Sequence, residues 1–187
     1  SESTVYEQTG LTAGTVYSYT VSALSASGEG VQSASLSQET APGAPTGLAA
    51  SDQTTSSIKL DWTAPSLPSG SAVSGYKVYE RVVYELSDIG SSSGIPAGIL
   101  QALSSGDSDT VVVDTMKYDG SDSTTTSTTL AGLSGGISYA YTVATLSSAG
   151  EGDRSTALSA STSPAAPTPS HRPSQKHTER TPCTTTK

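Results

Sequence analysis

Any hydrolytic chemistry in this chain would start at Gly90-Ser91-Ser92-Ser93-Gly94, which fits the Gly-x-Ser-x-Gly pattern that seats a nucleophilic serine on a strained strand-to-helix elbow. Such a serine needs an imidazole within hydrogen-bond reach. The two histidines, His171 and His177, both lie in a Pro-rich stretch with no element to aim a ring. In a chain this rich in Ser and Gly the pattern arises from composition, so no catalytic residue is assigned and no enzyme is expected. The run Asp107, Asp109, Asp114, Asp119 and Asp122 offers oxygen ligands of the kind a hard cation takes, but it forms no twelve-residue loop closed by Glu. These side chains read as solvated turn carboxylates. His171, His177 and Cys183 are irregularly spaced for zinc and lack a fourth ligand, and no glycine loop leads into a helix to hold phosphate. No metal and no cofactor is expected.

The elements that would position these residues follow from composition. Hydrophobic residues make up 33% and aromatics 5%, with no Phe, so a core must be small and built of Val, Leu, Ile and Tyr. Charged residues are only 14%, and the polar mass is Ser, Thr and Gly, which suits the exposed faces of strands and points to an all-β fold. The net charge is −8, with the acid excess in residues 1–164, because Arg172, Lys176, Arg180 and Lys187 face only Glu179 beyond them. The remaining cations, Lys59, Lys77, Arg81, Lys117 and Arg154, are scattered, so nucleic acid is not an expected partner. No apolar run approaches the length of a membrane span. With Cys183 alone, no internal disulfide forms, and without any Asn there is no N-linked glycan.

The strongest internal signal is a repeat. Residues 10–42 align without a gap on residues 132–164, an offset of 122, with 17 of 33 pairs identical. In the second copy Leu133 and Gly136 mark a turn, and Tyr139, Tyr141, Val143 and Thr145 fall on one face of a strand by period-two alternation. Gly150-Glu151-Gly152 then reads as a tight hairpin, with Arg154 to Ser161 returning as its partner strand. The first copy repeats this with Tyr17, Tyr19, Val21 and Ala23, turning at Gly28-Glu29-Gly30. Upstream of the second copy, Ile58, Leu60 and Trp62 alternate with Lys59 and Asp61, and Tyr76 and Val78 with Lys77 and Tyr79. With Thr46–Ser51, Val111–Tyr118 and Thr124–Leu130, seven strands result, which is a sandwich pattern.

Taken together, Ala44-Pro45-Thr46-Gly47-Leu48, Ile58 to Trp62 with Pro65, Gly75 to Tyr79, Leu133 to Tyr139 and Gly150-Glu151-Gly152 resemble the successive signatures of the fibronectin type III family. The resemblance implies a seven-stranded immunoglobulin-like β-sandwich without a disulfide. It implies Trp62 as the core tryptophan of the second strand and Tyr139 as a tyrosine-corner residue bonded to backbone a few residues upstream. The expected core is Trp62, Tyr76, Leu133, Tyr139, Tyr141 and Val143. The family's integrin-binding loop would fall at Ser147 to Gly152, which holds no Arg-Gly-Asp.

The expected organisation is residues 1–42 as the C-terminal strands of a truncated repeat, 43–164 as a complete repeat, and 165–187 as a disordered Pro- and Thr-rich tail. The 122-residue period exceeds an ordinary sandwich, and the surplus falls at residues 85–109 as a loop insertion. There Ile95, Ile99, Leu100 and Leu103 share a side, either as a flap on the domain's own sheet edge or as a partner-binding face. Thr40 to Leu48 reads as a short, extended linker in which Gly43 is the one flexible point. The expected function is a non-catalytic spacer and protein-interaction module whose partners are neighbouring repeats and other proteins. The alternative is an accessory domain of a secreted carbohydrate-active enzyme. The sequence leaves the compartment open, and the resemblance favours an extracellular or cell-surface one.

Overall fold

Alternation decides the first sheet. Strand β6 (Ser57–Thr63) turns Ile58, Leu60 and Trp62 inward, the first two with no exposed surface, and leaves Lys59 and Asp61 paired at 3.3 Å on its outer face. In the computed structural model, which describes residues 5–85 and 110–167, β6 is flanked by β5 (Thr46–Ser51) and β9 (Ser127–Ala131). The opposing sheet centres on β7 (Gly75–Glu85) and β10 (Ser138–Ser147), with Val78 opposite Val143. β8 (Thr110–Gly120) lies outside β7, while β11 (Gly150–Arg154) and β12 (Leu158–Ser161) both pair with β10. All pairings are antiparallel.

Between the sheets Ile58, Leu60, Trp62, Tyr76, Val78, Leu130, Tyr141, Val143 and Ala160 close into one core. Trp62 meets Tyr76 edge to face, with centroids 5.3 Å apart. The described elements are all strands, and β5 to β12 form two packed antiparallel sheets.

Four features differ from the sequence reading. The hairpin turns at Ser148 and Ala149, and Gly150-Glu151-Gly152 opens the return strand β11, with Gly150 opposite Ser147. The expected strand from Arg154 to Ser161 is two strands, because Ser155 interrupts it. Its Oγ accepts the Val143 N–H at 3.0 Å while its own N–H donates to Val143 O at 2.8 Å, so the chain bends out of the ladder between β11 and β12. The strand expected from Thr124 starts at Ser127, since the residues before it form the turn that brings Thr126 O to the Trp62 N–H at 3.0 Å. Strand β10 is buried from Tyr141 through Ser147 and not on one face alone. By register Thr142 shares a face with Tyr79, and Ala144 with Lys77, and on this face Arg154 of β11 lies over Tyr79 and Glu151 pairs with Lys77.

The first copy of the repeat keeps its local structure. β1 (Val16–Tyr19) pairs with β4 (Leu36–Glu39), and β2 (Leu24–Ser25) with β3 (Gly28–Glu29). Its hydrogen bonds recur 122 residues on. Val21 N–H to Ser33 Oγ, Thr15 N–H to Thr40 Oγ1 and Thr40 N–H to Thr15 O match Val143 to Ser155, Ile137 to Thr162 and Thr162 to Ile137, each within about 0.2 Å. Tertiary cover is what differs. Val21 and Leu24 are 73% and 81% exposed, against 0% and 8% for Val143 and Leu146.

Candidate functional site

The residues weighed for catalysis and for zinc are not among the described ones. Gly90 to Gly94, His171, His177 and Cys183 lie outside them, as do Asp107, Asp109 and the cluster Ile95, Ile99, Leu100 and Leu103. Among the described residues no group of three or more His, Cys, Asp or Glu side chains converges as a metal site.

Asp114 falls inside the expected strand Val111–Tyr118, but it is not the solvated carboxylate expected there. It sits in β8 with only 17% of its side chain exposed, 2.9 Å from Arg81 Nε and 3.1 Å from the second guanidinium nitrogen, and it also pairs with Arg154. The Arg81 hydrogen bond, against the opposing effect of burial, holds its carboxyl below the usual range. Asp119 accepts from the Ser121 N–H at 3.1 Å and from its hydroxyl, which lowers its pKa as well.

The pair Asp114–Arg154 belongs to a cluster on the outer face of the larger sheet. The Arg154 guanidinium lies 3.7 Å from the ring centroid of Tyr79, whose hydroxyl donates to Glu151 at 2.8 Å. Lys77 reaches the same carboxylate at 3.4 Å. Burial first, and then the Glu151 carboxylate, push the Tyr79 phenol upward. Sequence alternation placed Tyr79 on the outer face, yet it is only 8% exposed, because β11 folds Arg154 over it. Carboxylates and cations here satisfy one another, so the cluster ties β7, β8 and β11 together and leaves no group free for acid–base work.

Trp62, Tyr76, Tyr141 and Val143 are buried in the core, and Leu133 and Tyr139 pack against it from its margin. Tyr139 Oη accepts the Ser134 N–H at 2.9 Å, and its ring stacks on Tyr141 at 6.1 Å. Tyr17 does the same with the Thr12 N–H, also at 2.9 Å, and stacks on Tyr19. Burial, with Glu80 nearby, pushes the Tyr141 phenol far up. An open cleft of about 470 Å³ lies where β7 runs on past the end of β10, lined by Glu80, Val82, Val83, Ile137 and Tyr139 among others. Among the described residues it gathers no set of groups suited to catalysis.

The two copies of the repeat meet at Pro42. This residue has almost no exposed surface and lies against Gly152 of the β10–β11 hairpin. Beside it, Glu39 accepts the Ser148 hydroxyl and Leu67 packs at Gly14.

Residues 43–161 match the family model described as fibronectin type III domain. Chitinase A1 of Niallia circulans is 41% identical over 96 residues, which are 46% of this chain and 13% of that protein. Exoglucanase B of Cellulomonas fimi is 38% identical over 84 residues, 40% of this chain and 8% of that protein. The chain thus spans a small part of either relative. A solved human FNIII domain shares 20% identity over 69% of this chain and 85% of its own, with a TM-score of 0.44.

Proposed function

Because the chain belongs to the fibronectin type III family, we propose that it is a non-catalytic spacer and protein-interaction module of a larger multidomain protein. Residues 1–42 would supply the closing strands of one repeat and residues 43–164 a whole one. One observation carries this reading: a single bonding pattern is laid down twice along the chain at a constant offset of 122, with a short proline linker between the copies. Units placed in series at a fixed interval and joined without slack hold other parts of a protein at a set separation.

The test is the distance between the two units. With nitroxides on Ala13→Cys and Thr129→Cys in a Cys183→Ser chain, pulsed dipolar spectroscopy should return one narrow distance. A broad distribution would overturn the spacer reading.

A second reading places the module in a carbohydrate-active parent. It is favoured by the names of the two relatives, a chitinase and an exoglucanase. As a spacer in such a protein the chain itself should stay in the supernatant when spun with colloidal chitin or microcrystalline cellulose. Retention on either would assign it direct contact with polysaccharide.

A further inference from the structure

Glycine serves two purposes in a hairpin: it accepts positive φ, or it lets another backbone come close. In Gly150-Glu151-Gly152 the two glycines divide these tasks. Gly150 has φ +109 and open space around it, so its role is conformational. Gly152 has an ordinary φ, yet a Cβ there would stand 2.0 Å from Pro42 O and 2.9 Å from Pro42 Cγ. Its role is close approach. The equivalent residue of the first copy, Gly30, has the same ordinary backbone, but a Cβ there would meet only Ala23 O, at 3.3 Å. The same glycine is therefore a filled seat in one hairpin and an empty one in the other.

The object in the seat is also repeated. Thr40-Ala41-Pro42-Gly43-Ala44-Pro45-Thr46 recurs as Thr162-Ser163-Pro164-Ala165-Ala166-Pro167-Thr168. Each proline is first fixed from its own side. Gly14 N–H donates to Ala41 O at 2.8 Å and Gly136 N–H to Ser163 O at 3.1 Å, and a Cβ on either glycine would lie 3.7–3.8 Å from the following proline's Cα. Pro42 is nevertheless buried, whereas Pro164 is exposed. What separates them is the β10–β11 hairpin, which covers the first and not the second.

We propose that Pro42 is the wedge of a joint between successive fibronectin repeats, held by the Gly14 turn of the preceding repeat and the Gly152 hairpin of the following one. Leu67 against Gly14 and the Ser148–Glu39 bond flank it on either side. The β10–β11 hairpin is then an interface for the C-terminal end of another repeat, not a loop for a soluble ligand. Gly30 and Pro164 present the two halves of the same joint, each fitted to a further repeat. This inference rests on the spacer reading and supplies its mechanism.

The experiment is hydrogen exchange with mass spectrometry on the full chain, following the peptide that spans residues 39–46. Gly152→Val should speed exchange there about tenfold, because the seat is closed and local opening no longer has to break it. Gly30→Val, the same change in the empty seat, should leave the rate within about twofold. Trp62 fluorescence during unfolding shows whether the sandwich itself is intact. If Gly152→Val lowers its midpoint, Leu67→Ser decides, since it loosens the joint from the other side and should give the same acceleration. Unchanged exchange in the deciding variant, or an equal response to Gly30→Val, would overturn the joint. A narrow wild-type distance with unchanged exchange would reject the joint alone, whereas a broad distance would reject the spacer.

Discussion

Val143 and Val21 occupy the same place in Tyr-x-Tyr-Thr-Val, one with no exposed surface and the other 73% exposed. Val143 lies inside β10, opposite Val78, whereas Val21 lies between β1 and β2, so the two variants differ in strand context as well as in tertiary cover. For Val143 the lost methyl groups represent about 1.6 kcal/mol of transfer free energy at about 0.8 kcal/mol per carbon. A residual void of roughly 40 Å³ would add about 1 kcal/mol at about 24 cal/mol per Å³. Val143→Ala should therefore cost about 2–3 kcal/mol, and Val21→Ala less than about 0.5 kcal/mol. Urea unfolding followed by the fluorescence of Trp62, the chain's one tryptophan and a core residue, measures both. With a slope of roughly 1.5 kcal/mol per molar, the Val143 variant should lose about 1.5–2 M in midpoint at unchanged slope. Equal shifts for the two variants would show that the first copy is covered in solution as the second is. A shift under about 0.5 M for Val143→Ala would refute the core assignment.

Two further outcomes follow from the bonding. Tyr139→Phe keeps the ring stack but removes the acceptor of the Ser134 N–H, and should cost about 0.5–1 kcal/mol, while Tyr17→Phe should leave the Trp62 transition unmoved. Asp114 has a folded pKa below its unfolded value of roughly 3.9, so its stabilisation is fully present above that value and is lost as pH falls through the lower folded one. Asp114→Asn should flatten the acid limb of the stability–pH curve. An unchanged slope between about pH 4 and pH 2 would show that the Arg81 and Arg154 bonds are not kept in solution.

Local signals were legible and long-range ones were not. Ile58, Leu60 and Trp62 could be read as an inward face because one strand contains the whole pattern. The turns at Gly14 and Gly136, and the bonds of Tyr17 and Tyr139, lie within five residues of their partners and recur with the repeat. The burial of Tyr79 depends on Arg154, 75 residues away, and no period in β7 encodes it. The pairing of Asp114 is hidden from the sequence for the same reason, since its partners come from β7 and β11. Gly43 reads as the pivot of the linker, and a Cβ there would meet only Pro65, at 3.9 Å. What constrains the linker is Gly152 on Pro42, a contact across 110 residues that Gly-Glu-Gly discloses only as a hairpin.

The constant offset of the bonding pattern also bears on how such a gene changes length. A crossover between any point in residues 10–42 and the matching point 122 residues on removes or adds one whole period. It joins Tyr17 to the context of Tyr139, Val21 to that of Val143 and Thr40 to that of Thr162, and each of these residues finds the equivalent hydrogen-bond partner at the same spacing. Recombination inside the duplicated segment thus joins residues that occupy matching bonding positions in the two copies.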